Sequence, residues 1–269
     1  MSTYQSYWGL KNTPFRACHD SCFFYRAPTH DEALARMHFL VEQQQRLGLL
    51  IGNEGSGKSF LLRFFADELR HDGAAVAHIG LEGLETVEML RYILQSFRLN
   101  PSPGESMVSL WRRLEDRLRA NRYQQTDTII LLDDADLASA SVLTQIARLA
   151  RHDMTSQSRL TIVLSSRPER LGQIGARLLE LSTLRIDIEP WQKSDTVEFI
   201  KSSLTSAGRQ QPAFAEPALA RLHQLTHGVP RRVSQLADLS LLAGAGRDLQ
   251  EIDADVVESA YQELGAVEI

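Results

Sequence analysis

Eight residues constrain this chain more than any others: Gly52-Asn53-Glu54-Gly55-Ser56-Gly57-Lys58-Ser59, which fit the spacing G-x-x-x-x-G-K-[ST]. They follow an apolar run, Leu47 to Gly52, and open an amphipathic stretch from Phe60 to Arg70. Strand, glycine-rich turn and helix in that order build a phosphate cradle. Gly55 and Gly57 let the backbone bend into a nest of N–H groups with no Cβ in the way. The helix N-terminus adds partial positive charge. Lys58 brings a point charge to the β- and γ-phosphates, and the Ser59 hydroxyl reaches Mg²⁺. Roughly one chain in a hundred of this length would match the spacing by chance, and the flanking strand and helix lower that further. Gly52 through Phe60 are therefore the expected nucleotide contacts, with ATP and Mg²⁺ as the ligands.

The rest of the chain agrees with such a site. Short β-type runs at 47–52, 76–81, 128–134, 160–166 and 184–190 alternate with helical patterns. Those patterns are Phe60–Arg70, Thr86–Phe97, Leu110–Arg119, Ala140–Arg151 and Pro168–Leu181. Four of the runs are near-continuously apolar, as strands buried on both faces are; the last alternates and suits an edge. The pattern predicts a parallel sheet covered by helices on both faces, an α/β fold. After Pro190 the strand signal stops. Ser194–Ala207, Pro217–Thr226, Arg231–Ala243 and Ala254–Leu264 read as helices punctuated by Gly208, Gly228 and Gly246. Three regions are expected: an arm with a helix (31–45) in 1–46, an α/β core in 47–190, and a small helical domain in 191–269.

Composition bounds the partners. Of 269 residues, Lys+Arg number 29 and Asp+Glu 34, for a net charge of −5. That argues against a chain-wide nucleic-acid surface but leaves room for a local basic patch. Two cysteines make no disulfide framework and point to a reducing, cytoplasmic setting. No secretory signal opens the chain, and no apolar run reaches the ~20 residues of a membrane span, so a soluble protein is expected.

Two further strand ends carry chemistry. Thr128 to Leu132 run into Asp133-Asp134. Asp133 is the expected Mg²⁺ carboxylate, and Asp134 the candidate base that orients the attacking water. The intervening strand at 76–81 implies a P-loop ATPase with an inserted strand. Ser165-Ser166-Arg167 end the next strand, where a polar side chain reaches the γ-phosphate between the first two elements. In the helical domain, Arg231 and Arg232 sit near a helix N-terminus, a poor place for cations unless an anion is close. Cys18-x3-Cys22, with His19, Asp20 and His30 nearby, has no second ligand pair, so two thiols are read there rather than zinc. Arg112, Arg113, Arg117, Arg119, Arg148 and Arg151 lie at helical spacing and read first as solvated faces, with DNA contact as the other use.

Taken together the chain resembles AAA+ ATPases of the general secretion pathway protein A (ExeA-like) type, which are similar to transposition regulators such as MuB and TniB. The arm carries Trp8-Gly9-Leu10, Pro14-Phe15, Phe24-Tyr25 and His30-x-Glu32-Ala33-Leu34. Ile162 to Glu169 resemble the family's I-V-L-x-G-Q-P-E, and Gly228 to Leu236 its G-x-P-R-x-I-N-x-L. The resemblance implies a P-loop AAA+ core with a five-stranded parallel sheet and a C-terminal helical lid, binding ATP·Mg²⁺ between core, lid and arm. It makes Arg231 the phosphate sensor of the lid and Ser166 or Arg167 the sensor at the strand end. It also implies a homo-oligomer on ATP binding, in which a neighbour's arginine completes the site. Arg177 is the best candidate, with Arg170 and Arg185 as alternatives.

The family places Glu where this chain has Asp134, and Gln where it has Arg167; the shorter carboxylate implies slow hydrolysis. Secretion-type members continue into a membrane segment and a peptidoglycan-binding domain, for which this sequence has no counterpart after the lid. Two uses follow. One is an ATPase that couples its nucleotide state to assembly of a protein partner complex, in secretion or at the cell envelope. The other is a slow, ATP-switched adaptor on DNA or a transposase-like partner.

Overall fold

The computed structural model describes residues 3–15, 25–153, 155 and 157–265. Its elements in chain order are α1 (Thr3–Trp8), α2 (Pro28–Glu42), β1 (Leu47–Gly52), α3 (Lys58–His71), β2 (Ala75–Gly80), α4 (Thr86–Ser96), α5 (Met107–Tyr123) and β3 (Thr128–Asp133). They continue with α6 (Ala140–Ala150), β4 (Leu160–Ser166), α7 (Ala176–Leu181), β5 (Leu184–Ile188), α8 (Lys193–Ser206), α9 (Glu216–Thr226), α10 (Pro230–Gly246) and α11 (Ala254–Gly265). Residues 30–54 and 58–188 form one compact unit; among the described residues, 3–15, 25–29, 55–57 and 189–265 form another.

The first unit is an α/β layer fold. Its sheet has five strands in the order β2-β3-β4-β1-β5, every pair parallel. β1, β3 and β4 are buried at every position because each has a strand on both sides and helices above and below. The period of two assigns the faces. Leu47, Leu49 and Ile51 join a cluster with Leu90 and Ile93 of α4, Trp111 of α5 and Ile146 of α6. Gly48 points the other way, where a Cβ would collide with Leu40 of α2. β5 is an edge strand and alternates in burial, as its sequence predicts. β2, expected to be buried on both faces, is the other edge: Ala75 and His78 are only half-buried and Gly80 is exposed.

Helix starts follow their capping chemistry. The Ser106 hydroxyl accepts from the Ser109 N–H at α5, and Ser139 does the same for Val142 at α6. Glu85 and Glu88 form a reciprocal capping box at α4. The single helix expected over 168–181 is divided. A 3₁₀ segment, Pro168–Ile174, ends at Gly175, whose φ of 87° and ψ of 145° cannot continue a helix, and α7 starts anew.

The second unit is helical. Trp8, Phe15, Trp191, Phe199 and Leu222 share one core with Leu236 and Val257. The Trp191 and Phe199 rings lie 4.9 Å apart, and Tyr25 meets both edge-on at 5.4 and 5.6 Å. The Trp8 indole N–H donates to the Leu241 carbonyl at 2.8 Å. These aromatic contacts explain why the expected arm of 1–46 is split. Its described residues up to Thr29 group with the late helices, whereas His30 to Glu42 lie with the sheet.

Candidate functional site

Parallel strands end together, so the loops that leave them converge on one edge of the sheet. β4 lies between β1 and β3, and register decides which of its side chains serve which neighbour. Leu132 pairs with Leu164 and Ile51 with Ser166. One step beyond Leu132, Asp133 is level with Ser165.

The loop after β1 has the backbone its sequence demands, with φ of 77° at Gly55 and 97° at Gly57. Asn53, Glu54 and Ser59 are exposed, Phe60 is half-buried and Ser56 is buried. Lys58 opens α3 and is only 7 % exposed. Its Nζ donates to the carbonyls of Gly52 at 2.7 Å and Asn53 at 3.0 Å, which spends two of its three N–H bonds and leaves one. Burial pulls the Lys58 ammonium below its ordinary pKa, while Asp133, Asp134 and Asp136 push it back up.

Asp133 ends β3 and is 5 % exposed. Its Oδ1 accepts from the Ser165 hydroxyl and, at 3.1 Å, from the Asp134 N–H. The Ser165 oxygen in turn accepts from the same Asp134 N–H at 2.9 Å. Asp134 therefore leaves the strand in a left-handed conformation, φ 53° and ψ 45°, held by a buried hydroxyl on the neighbouring strand. Burial raises the Asp134 pKa, and the Asp133 and Asp136 charges raise it further. An elevated carboxylate pKa makes a stronger base.

The sequence named Ser165 only as one of the three residues that end β4, and it did not name Asp136. Ser165, not Ser166, meets Asp133; Ser166 is fully buried and donates to the Arg167 carbonyl at 3.0 Å. Asp136, in the 3₁₀ turn Ala135–Leu137, accepts from Arg167 Nε at 3.0 Å. Arg167 Nη1 also approaches Glu54 Oε2, at 3.4 Å.

The other expected residues lie on separate elements. Arg231 and Arg232 are exposed in the first turn of α10. The Arg231 N–H donates to the carbonyl of Gly55 at 3.2 Å, within the second unit. Arg177 is exposed in the first turn of α7, where the helix dipole disfavours a cation. Arg170 is exposed, and Arg185 is committed to Asp187 at 2.7 Å. Of the basic helical faces, Arg113 pairs with Glu105, Arg119 with Asp116, and Arg148 stacks 4.0 Å over Trp111. Cys18 to Cys22 lie outside the described residues. Among the described residues no cluster of three His, Cys, Asp or Glu is arranged to hold a metal, and no helix is long and apolar enough to cross a membrane.

Residues 41–174 match the family model described as an AAA domain. With its P-loop and its sheet order, that stretch has the P-loop AAA+ fold. The chain is similar to the general secretion pathway protein A of Aeromonas hydrophila, 27% identical over 267 residues. The match takes in 97% of this chain but 49% of that protein, so the chain spans about half the length of the curated relative it matches. Among solved structures it is similar to Cdc6p from Pyrobaculum aerophilum, with a TM-score of 0.67 and 18% identity over 93% of this chain and 70% of that one. The Aeropyrum pernix ORC1 protein in complex with DNA gives 0.66 and 17%, over 90% and 67%. The Thermotoga maritima RuvB Holliday junction branch migration motor gives 0.59 and 14%, over 87% and 69%. These likenesses establish the fold.

Proposed function

We propose that the chain binds ATP with Mg²⁺ at the strand ends, transfers the γ-phosphoryl group to water, and couples its nucleotide state to assembly of a protein partner. The observation that carries this reading is that Lys58, at the start of the helix after β1, and Asp133 and Asp134, at the end of β3, lie on one edge of the sheet. In this reading Lys58 binds and orients phosphate. Asp134, its backbone turned out of the strand, takes a proton from the attacking water. Arg231 contacts phosphate from the lid.

The donor set fits magnesium, which prefers hard oxygen ligands. Both hydrogen bonds to Asp133 fall on Oδ1, which leaves Oδ2 for the ion or its water, and Ser59 supplies a hydroxyl. When bound, Mg²⁺ neutralises charge that develops on the phosphates. Exposed Arg177 supports an oligomer in which one copy lends a cation to the next, at work in a cytoplasmic setting.

The second reading is an ATP-switched adaptor on DNA or protein that hydrolyses slowly, and the short Asp134 side chain favours it. The relation to a secretion protein and the DNA held by the ORC1 neighbour suggest different partners, and the acidic net charge of −5 favours protein. Phosphate release and particle size, each measured with and without MgATP, test the proposal. Steady turnover with a larger particle in ATP is expected; a monomer that neither binds nor cleaves ATP would contradict it. A steep salt dependence of DNA binding in ATP would favour the adaptor.

A further inference from the structure

Beside the phosphate loop lies an ion pair that phosphate binding does not itself require. Arg167 follows β4, and its Nε meets Asp136 Oδ2 at 3.0 Å; the Asp136 side chain is 0% exposed and that of Arg167 22%. A carboxylate is buried this deeply only with a counter-charge. Yet the grip is one-pronged. Asp136 Oδ1 is buried and makes no hydrogen bond, although a guanidinium can hold both oxygens of a carboxylate. The other prong of Arg167, Nη1, is turned to Glu54 of the phosphate loop at 3.4 Å.

One guanidinium thus ties three segments together: the end of β4, the turn that follows Asp134, and the loop that leaves β1. That arrangement gives up a hydrogen bond at Asp136 to set the spacing between turn and loop. Buried polar groups left short of partners concentrate where function rather than stability fixes the geometry. Asp134 and Asp136 share one short turn, since Asp134 immediately precedes the 3₁₀ segment that holds Asp136. Displacing Asp136 therefore displaces Asp134.

We propose that Arg167 is a positioning residue for ATP hydrolysis: paired with Asp136, it fixes the turn that carries Asp134 against the phosphate loop, and it acts on turnover through Asp136 rather than by touching phosphate. The proposal rests on the ATPase reading above and gives Arg167 and Asp136 one joint role.

The test is a double-mutant cycle read separately in kcat and in ATP affinity. Arg167→Met and Asp136→Asn are each expected to lower kcat roughly tenfold or more, as a misplaced base does, with the ATP Kd within about threefold of wild type. The double variant is expected to be no slower than the slower single, because residues that act as a unit lose their effect only once. Arg167→Lys, which keeps a charge and one contact, is expected to recover part of the rate. If Arg167→Met fails to fold, Arg167→Lys and Asp136→Asn carry the same comparison without a buried unpaired charge. Losses that multiply in the double variant, or wild-type kcat in Asp136→Asn, would overturn the proposal. So would a tenfold loss of ATP affinity in Arg167→Met, which would make Arg167 a phosphate contact. A wild-type chain with no turnover at all would instead defeat the hydrolase reading, and this proposal with it.

Discussion

The Ser165 hydroxyl donates to the Asp133 carboxylate and accepts the N–H of Asp134, joining two strand ends through one buried side chain. The contact fixes both acids at once: the carboxylate proposed to hold Mg²⁺ and the backbone that aims the proposed base. Adjacent strands are locked by register, so the small Ser165 side chain needs no further adjustment to reach both groups.

Ser165→Ala removes the hydroxyl and leaves the buried Asp133 oxygen with one donor fewer. A lost buried hydrogen bond of this kind costs about 1–3 kcal/mol, and urea unfolding is expected to register that loss. Turnover is expected to fall at least tenfold while ATP affinity stays within about threefold. Wild-type turnover in Ser165→Ala would show that the contact is structural alone.

Asp134 is one methylene shorter than the glutamate that stands at this position in the AAA+ ATPases the sequence resembles. Asp134→Asn is expected to abolish hydrolysis with MgATP binding retained. Asp134→Glu is expected to raise kcat, because the longer arm brings the carboxylate nearer the phosphate without moving the backbone. Single-turnover phosphate release on both variants checks this. An unchanged rate in Asp134→Asn would rule Asp134 out as the base.

What the sequence made legible, and what it did not, divides along one line. Runs such as Leu47–Gly52 and Thr128–Asp133 are apolar because they are buried on both faces, and the glycines and Lys58 between β1 and α3 are spaced by backbone geometry. Both are local properties, so they can be read along the chain. Which of two adjacent serines faces Asp133 is not local. It depends on the register between β3 and β4, where a shift of one residue exchanges Ser165 for Ser166. The Arg167–Asp136 pair spans 31 residues of sequence and exists only once those strands align. β2 read as a central strand because an edge position depends on sheet order, which no single run records.

In the helical unit, Gly228 has φ 67°, and a Cβ there would collide with the backbone carbonyl of Trp191, whose N–H donates to the Gly228 carbonyl at 2.9 Å. Gly228→Ala is expected to destabilise the protein by about 2 kcal/mol or more, since it combines a strained φ with backbone overlap. Chemical denaturation checks this. An unchanged midpoint would mean that the Trp191–Gly228 contact is loosely held.

Arg177 provides the test of assembly. Activity per chain is expected to rise with protein concentration, and Arg177→Ala to remove that rise while ATP binding stays near normal. A neighbour's arginine contributes roughly 10³–10⁵ in rate where it completes such a site. Mixing Arg177→Ala with Lys58→Ala chains, which keep the arginine but lose the phosphate cation, is expected to restore part of the activity. Turnover independent of concentration, or no rescue in the mixture, would exclude Arg177 from that role.

The central claim is that the cradle between β1 and α3 binds nucleotide through Lys58, and calorimetric titration of MgATP into the wild-type chain and into Lys58→Ala tests it most directly. The account predicts saturable one-site binding by the wild type. It predicts an affinity at least tenfold weaker in the variant, about 1.4 kcal/mol, with an unchanged far-ultraviolet circular dichroism spectrum. Equal affinity in the two proteins, or no binding by either, would contradict it.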